Sequence, residues 1–423
     1  MFGIQIDDGT EIVPKIVQEN NEKVIELYDW QERAIEFFQE HNYKAIYKVA
    51  TGSGKTFLAI EIYKKILERD PLAKCLVVVP KNVIIETGWY KEFYQAGFSI
   101  VDIGVFYGLT KEYSKITITN MQSIDKVAID IFDVVIFDEI HNYSTKRLIK
   151  YVEKNFKYKI GLSATIERVD NKHWDLLKAF DYNVFSYSPH EAIRDGVLNP
   201  FDFYNVEVIV DDDTYDQYTD LTKKLNTILQ VGGGFNKIMR SGDGTKYKML
   251  SLMNKRKQLI NNYDRKFEVV KKICLKHQGE KILVFNQYNS QTTKLYWHLL
   301  DVGIKARIIH SDVNKEQREK NLIDFKNDEF SVLLTSKVLD EGYNLPSISC
   351  AIIMAGDSTP RQTIQRMGRV LRKKKNKSNL YQIYCKGTME EEQGLERGKL
   401  FKELSNLHKE YTYELGKELI LDG

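Results

Sequence analysis

The chain's 423 residues, 43% of them apolar, are enough for about three structural units and more than one core. Its 62 Lys and Arg nearly balance 59 Asp and Glu, and a net charge of +3 excludes a globally basic coat, so an anionic partner must be met by local clusters. Scattered cysteines (Cys75, Cys274, Cys350, Cys385), no metal-ligand spacing among the histidines, no membrane-length apolar run and no signal-peptide core in Met1–Thr10 argue against disulfides, zinc and export, and for a soluble cytoplasmic protein.

In chain order, a short tail over 1–27 precedes the first regular pattern. Residues 44–50 (KAIYKVA) read as an apolar strand and Phe57–Leu67 as a helix with apolar residues at helical spacing. Between them lies TGSGKT. A strand, a Gly-rich turn and a helix N-terminus together present backbone N–H groups and a positive dipole end to phosphates. Thr51, Gly52, Ser53 and Gly54 would curl around the phosphates, Lys55 would reach the β and γ oxygens, and the Thr56 hydroxyl would ligate Mg²⁺. Val49 stands where the general loop pattern has its first glycine.

Further strand-like runs follow at 75–80, 100–106, 115–120, 133–138 and 158–163, alternating with helical patterns, which implies a doubly wound parallel sheet over 28–200. The run DVVIFDEIH at 133–141 reads as a strand buried on both faces. Asp138 at its end is placed to hold the Mg²⁺ that Thr56 binds, and Glu139 to orient and deprotonate the attacking water. GLSAT at 161–165 ends the next run.

Residues 201–265 fit no such alternation and read as a mostly helical connector, with Gly232–Gly234 and SGDG at 241–244 as flexible joints. A second alternating block, 266–390, has strand candidates KILVFNQ, KARIIHS, SVLLTSK, CAIIMAG and LYQIYCK. It carries LDEGYNLP at 339–346 and QRMGRVLR at 365–372. On a helix, Arg369 and Arg372 lie three apart on one face, with Gln365 about one turn before Arg369, and a guanidinium's rigid fork matches phosphate oxygens. Lys373–Lys377 reads as a solvated basic loop. The leucines of 390–421 read as an amphipathic helix packing on the second block. The fold class expected is α/β, with two tandem RecA-like doubly wound domains, a cleft between them and a helical connector.

The ordered set is similar to the superfamily 2 DNA helicases and translocases over nearly the whole chain, and resembles most the XPB-type helicases and related phage and archaeal enzymes. SATIERVD at 163–170, FNKIMRSGDG at 235–244, SKVLDEGYNLP at 336–346 and IQRMGRVLRKKK at 364–375 carry the likeness beside the ATP motifs. No separate damage-recognition domain is expected before Tyr28. The resemblance implies that Gln31 in LYDWQERAI reads adenine, and that Ser163 and Thr165, with His141 of DEIH, couple hydrolysis to the nucleic-acid grip. It implies backbone contacts to a strand from Pro80, Lys81 and Thr119 in the first domain, and from Gln287, His310, Ser336 and Lys337 in the second. Gly342 and Asn344 would lie on the nucleotide; Asn344 stands where many relatives have Asp, and could hydrogen-bond ribose hydroxyls without supplying charge. Arg369 and Arg372 would be arginine fingers reaching the phosphates held by Lys55, with Gln365 near the γ-phosphate.

The function expected is an ATP- and Mg²⁺-dependent DNA helicase or translocase, monomeric, acting on forked, branched or duplex DNA in replication, recombination or repair beside the proteins of those pathways. An RNA helicase, a translocating subunit of a restriction system and an ATP-gated clamp that binds without moving are the alternatives.

Overall fold

The computed structural model describes residues 26–166, 171–241, 243–336, 345–354, 377–414 and 419. The apolar runs of the first half form one sheet: β1 (Lys44–Val49), β2 (Cys75–Val79), β3 (Ile103–Tyr107), β4 (Thr110–Lys111), β5 (Ile116–Asn120), β6 (Val134–Asp138), β7 (Tyr158–Ser163) and β8 (Val184–Tyr187). Their spatial order is β4-β3-β5-β2-β6-β7-β1-β8. All neighbours are parallel except β3 and β4, which pair antiparallel. The period of two along a strand divides the core in two. Val77, Val79 and Ile136 pack on one face with α1 (Asp29–Glu40) and α2 (Lys55–Arg69), while Leu76, Val78, Val135 and Phe137 pack on the other.

The second sheet contains β9 (Phe201–Val208), β10 (Ile282–Phe285), β11 (Ala306–Ile309), β12 (Val332–Thr335), β13 (Cys350–Ile353), β14 (Ser378–Cys385) and β15 (Leu407–Tyr413). Its order is β11-β12-β10-β13-β14-β9-β15, parallel throughout. Two parallel-sheet α/β units therefore stand as expected.

Two boundaries differ from the expectation. Residues 201–208, read as the start of the helical connector, are a strand in the interior of the second sheet, between β14 and β15. FDFYNVEV is covered on both faces, with Phe201 and Phe203 in one apolar cluster and Tyr204, Val206 and Val208 in the other. The helices of that segment begin only at Asp212, with two long ones in contact at Asp212–Val231 and Gly244–Asn261. At the other end, the helix expected over 390–421 spans Met389–Leu404 and stops at Ser405. The chain then turns into the edge strand β15, whose β-branched and aromatic residues suit a half-exposed strand.

Candidate nucleotide and coupling site

The loop between β1 and α2 is wound tightly. Gly52 (φ +89°) and Gly54 (φ +94°) take left-handed backbone conformations that a side chain would strain, and a Cβ on Gly54 would meet the Gln31 amide nitrogen at 3.1 Å. Gln31 is buried on the first turn of α1; its Oε1 accepts the Tyr28 N–H at 3.1 Å and its Nε2 donates to the Gly54 carbonyl at 3.4 Å. The residue expected to read adenine thus also ties α1 to the phosphate loop. Lys55 Nζ donates to the Val49 carbonyl at 3.2 Å. Burial lowers the Lys55 pKa, and the negative charges of Glu139 and Asp138 oppose that effect. The hydroxyls of Thr51 and Ser53 are buried with no hydrogen-bond partner among the described residues. Buried hydroxyls of this kind call for a ligand, and a triphosphate with its metal fits a cradle of N–H groups, two hydroxyls and an ammonium. Thr56, half-buried, follows at the second position of α2.

Asp138 ends β6 beside this loop. Its Oδ1 accepts the Glu139 N–H and its Oδ2 the indole N–H of Trp89, both at 3.0 Å. Burial raises its pKa, against the Trp89 hydrogen bond, the charge of Lys55 and the Glu139 N–H. Glu139 itself sits at φ +49°, ψ +55°, a left-handed conformation uncommon outside glycine and costing about 1–2 kcal/mol. Sequence reading passed over Trp89: in GWYKEF it reads as one more apolar helical residue.

His141 connects the two motifs. Its Nδ1 is 3.3 Å from the Glu139 carboxylate and 2.8 Å from Ser163 Oγ at the end of β7, and Ser163 Oγ bonds the Thr165 carbonyl at 2.5 Å and its N–H at 3.2 Å. DEIH and SAT therefore form one polar chain along adjacent strand ends.

Pro80 and Lys81 lie just past β2, with Lys81 exposed. Thr119 does not join them at the surface: it is fully buried within β5 and its hydroxyl donates to the Phe106 carbonyl of β3 at 2.7 Å. Gln287, His310 and Ser336 lie just past β10, β11 and β12, three neighbouring strands, so they share one sheet edge. These residues are 5%, 6% and 3% exposed and brace that edge rather than project from it. Ser336 Oγ donates to Asn289 Oδ1, and Asn289 Nδ2 donates to Ser311 Oγ, each at 2.7 Å, so Asn289, which sequence reading missed, pins three loops together. His310 Nδ1 accepts the Asp312 N–H at 3.2 Å, and burial lowers its pKa. Lys337, Gly342, Asn344, Gln365, Arg369 and Arg372 lie outside the described residues.

A family model described as type III restriction enzyme, res subunit, matches residues 24–168, and one described as helicase conserved C-terminal domain matches residues 265–374. The chain is thus similar to the XPB-type helicases of superfamily 2. Its XPB-type relatives include the DNA 3'-5' translocase XPB2 of Sulfurisphaera tokodaii, 27% identical over 86% of this chain and 82% of that protein. The DNA 3'-5' helicase XPB of Mycobacterium tuberculosis is 22% identical over 84% of this chain, which spans only 61% of that relative's length. The helicase domain of Pyrococcus furiosus Hef shares the fold, with a TM-score of 0.60, 17% identity and coverage of 86% of this chain and 96% of that one. With these domain matches and XPB relatives the protein is an ATP-hydrolysing helicase. Among the described residues of this helicase no helix is long and apolar enough to cross a membrane, and no cluster of His, Cys, Asp or Glu forms a metal cage. An open carboxylate edge beside a phosphate loop suits a metal that arrives with its nucleotide.

Proposed function

We propose that this helicase is an ATP-driven DNA translocase whose chemistry is run by Lys55, Asp138 and Glu139 and relayed through His141 and Ser163. The observation that carries this is the unbroken polar chain from Glu139 through His141 to Ser163 and Thr165. It joins the carboxylate beside the phosphate loop to the segment that leads out of the sheet.

Lys55 neutralises the β and γ oxygens of ATP. Thr56 and Asp138 would hold a divalent ion such as Mg²⁺, which would supply positive charge beside the phosphates. Glu139 accepts a proton from the attacking water as its oxygen bonds the γ-phosphorus and the bond to the ADP oxygen breaks. Gln31 contacts adenine, Gly342 and Asn344 the ribose side, and Gln365, Arg369 and Arg372 the phosphates from the second sheet. Pro80 and Lys81, the loop backbones at Gln287, His310 and Ser336, and Lys337 track sugar and phosphate without reading bases, whereas the buried Thr119 takes no part. Two XPB relatives named as 3'-5' enzymes on DNA support DNA as the track and that direction of travel. Forked or branched DNA in repair, recombination or replication is the substrate we favour, and the protein acts as a monomer.

An ATPase assay with single-stranded, duplex, forked and four-way DNA and with RNA tests this. Forked DNA should stimulate hydrolysis most, and a larger response to RNA would overturn the choice of DNA. Lys55→Ala should abolish hydrolysis and weaken nucleotide binding, whereas Glu139→Gln should keep binding and lose turnover by a factor of about 10²–10⁴. Parental turnover in Glu139→Gln would remove it as the base.

A further inference from the structure

Trp89 is 1% exposed and ends a five-residue π-helical turn, Ile85–Trp89, in which the Tyr90 N–H reaches back to the Ile85 carbonyl. A π turn adds one residue to an α-helical register, so the side chains after it swing by about 100°. Here the turn delivers the indole N–H to Asp138 Oδ2 at 3.0 Å, 49 residues away in sequence. Indole nitrogen is a donor only, so the direction of this bond is unambiguous. Core filling alone does not explain it. Trp30 is just as buried, and its N–H has no partner among the described residues, so this fold tolerates an indole used only for its rings. At position 89 a Phe would pack against Phe93, whose ring centroid is 5.8 Å away, but could not bond Asp138.

With Glu139 N–H on Oδ1 and Trp89 on Oδ2, each carboxylate oxygen has one donor, which fixes the plane of the group and leaves each oxygen further capacity to accept or ligate. We infer that Trp89 is a positioning residue that orients the Asp138 carboxylate for the divalent ion accompanying ATP. The inference rests on Asp138 being the metal-holding carboxylate, as proposed above. Hydrogen-bond partners of metal-ligating groups typically contribute 10–100-fold to metal affinity.

The test is a Mg²⁺ titration of the binding of a fluorescent N-methylanthraniloyl ATP to the full chain. In Trp89→Phe the Mg²⁺ needed for half-maximal enhancement of binding should rise about tenfold or more, with metal-free nucleotide affinity unchanged. Asp138→Ala should raise it as well, and adding Trp89→Phe to Asp138→Ala should raise it no further. Phe93→Leu, which loosens the same packing without touching the N–H, should leave the Mg²⁺ dependence parental. If Trp89→Phe fails to fold, the sulfur isostere of tryptophan at position 89 keeps the ring shape while removing the N–H, and should give the same rise. A shift in Asp138→Ala with parental behaviour in Trp89→Phe overturns the inference alone. So does a further rise in the double variant, or an equal rise in Phe93→Leu. No shift in Asp138→Ala overturns the assignment of Asp138 as the metal-holding carboxylate, and the role of Trp89 with it.

Discussion

His141 Nδ1 faces two oxygens, Glu139 Oε2 at 3.3 Å and Ser163 Oγ at 2.8 Å. The Ser163 hydroxyl donates its one hydrogen to the Thr165 carbonyl, so Ser163 Oγ accepts from His141 and Nδ1 carries the proton, with the Glu139 carboxylate beside it. Donation runs one way, from His141 through Ser163 to the Thr165 carbonyl, so a shift of Thr165 alters what Ser163 can accept and with it how His141 sits beside Glu139. Ser163→Ala breaks the relay and leaves Lys55, Asp138 and Glu139 in place. Basal hydrolysis should stay within a few-fold of the parent, while DNA stimulation should fall by about tenfold, an amount typical of coupling between sites. ATPase rates with and without DNA measure both, and equal loss of the two rates would mean that Ser163 serves only to orient Glu139. Lys55, Asp138, Glu139 and the serine of SAT are legible in sequence because motif spacing fixes which strand end each occupies. Trp89 and Asn289 are not, because each acts on a partner remote in sequence. Thr119 misleads for the opposite reason: a polar residue at a strand end looks exposed, yet the hydroxyl is spent on the neighbouring strand.

Strands show the same division between local pattern and tertiary setting. Runs such as CLVVV and VVIFD are continuous apolar stretches because parallel strands are covered on both faces, and they stand where the sequence puts them. β9 and β15 were hidden because polar residues interrupt their apolar ones and both flank helices, so their signal is diluted in any longer window. β7 holds a residue that breaks the apolar pattern. Lys159 is 2% exposed, and its ammonium donates to the Val152 and Ala179 carbonyls at 2.7 and 3.1 Å. Burial, with a smaller contribution from the charge of Lys44, brings its pKa down to about 8. An unfolded lysine titrates near 10.4, so between pH 8 and that value the unfolded chain binds more protons and stability contributed at this site rises with pH; below pH 8 the penalty is present in full. Unfolding wild type and Lys159→Met at pH 7.5 and pH 10 should show the wild type gaining on the order of 1–3 kcal/mol relative to the variant. A flat difference would mean that Lys159 titrates as in water.

At the scale of the molecule, each sheet places its candidate groups past the ends of parallel strands: 50–56, 80–81, 138–141 and 163–165 on the first, and 287, 310 and 336 on the second. One contiguous apolar cluster takes in Trp30 of α1, Tyr187 of β8, Leu198, and Phe201 and Phe203 of β9, so the helix bearing Gln31 is mechanically continuous with the strand that enters the second sheet. Two units with one hydrolytic machine need a reason for ATP to be hydrolysed only when they close, and a group supplied from the second sheet gives it. Arg369 in QRMGRVLR is our candidate, since guanidinium remains charged at any working pH and its fork matches phosphate oxygens. A finger of this kind contributes about 10³–10⁵ in turnover while adding little to ground-state affinity. Arg369→Ala should therefore bind ATP and DNA within a few-fold of the parent and lose DNA-stimulated turnover by about 10³. Nucleotide affinity, DNA affinity and steady-state hydrolysis measured on one preparation decide it. Turnover near the parental rate would mean that the first sheet hydrolyses ATP unaided, and a two-sheet closing cycle could then not be what couples ATP to movement.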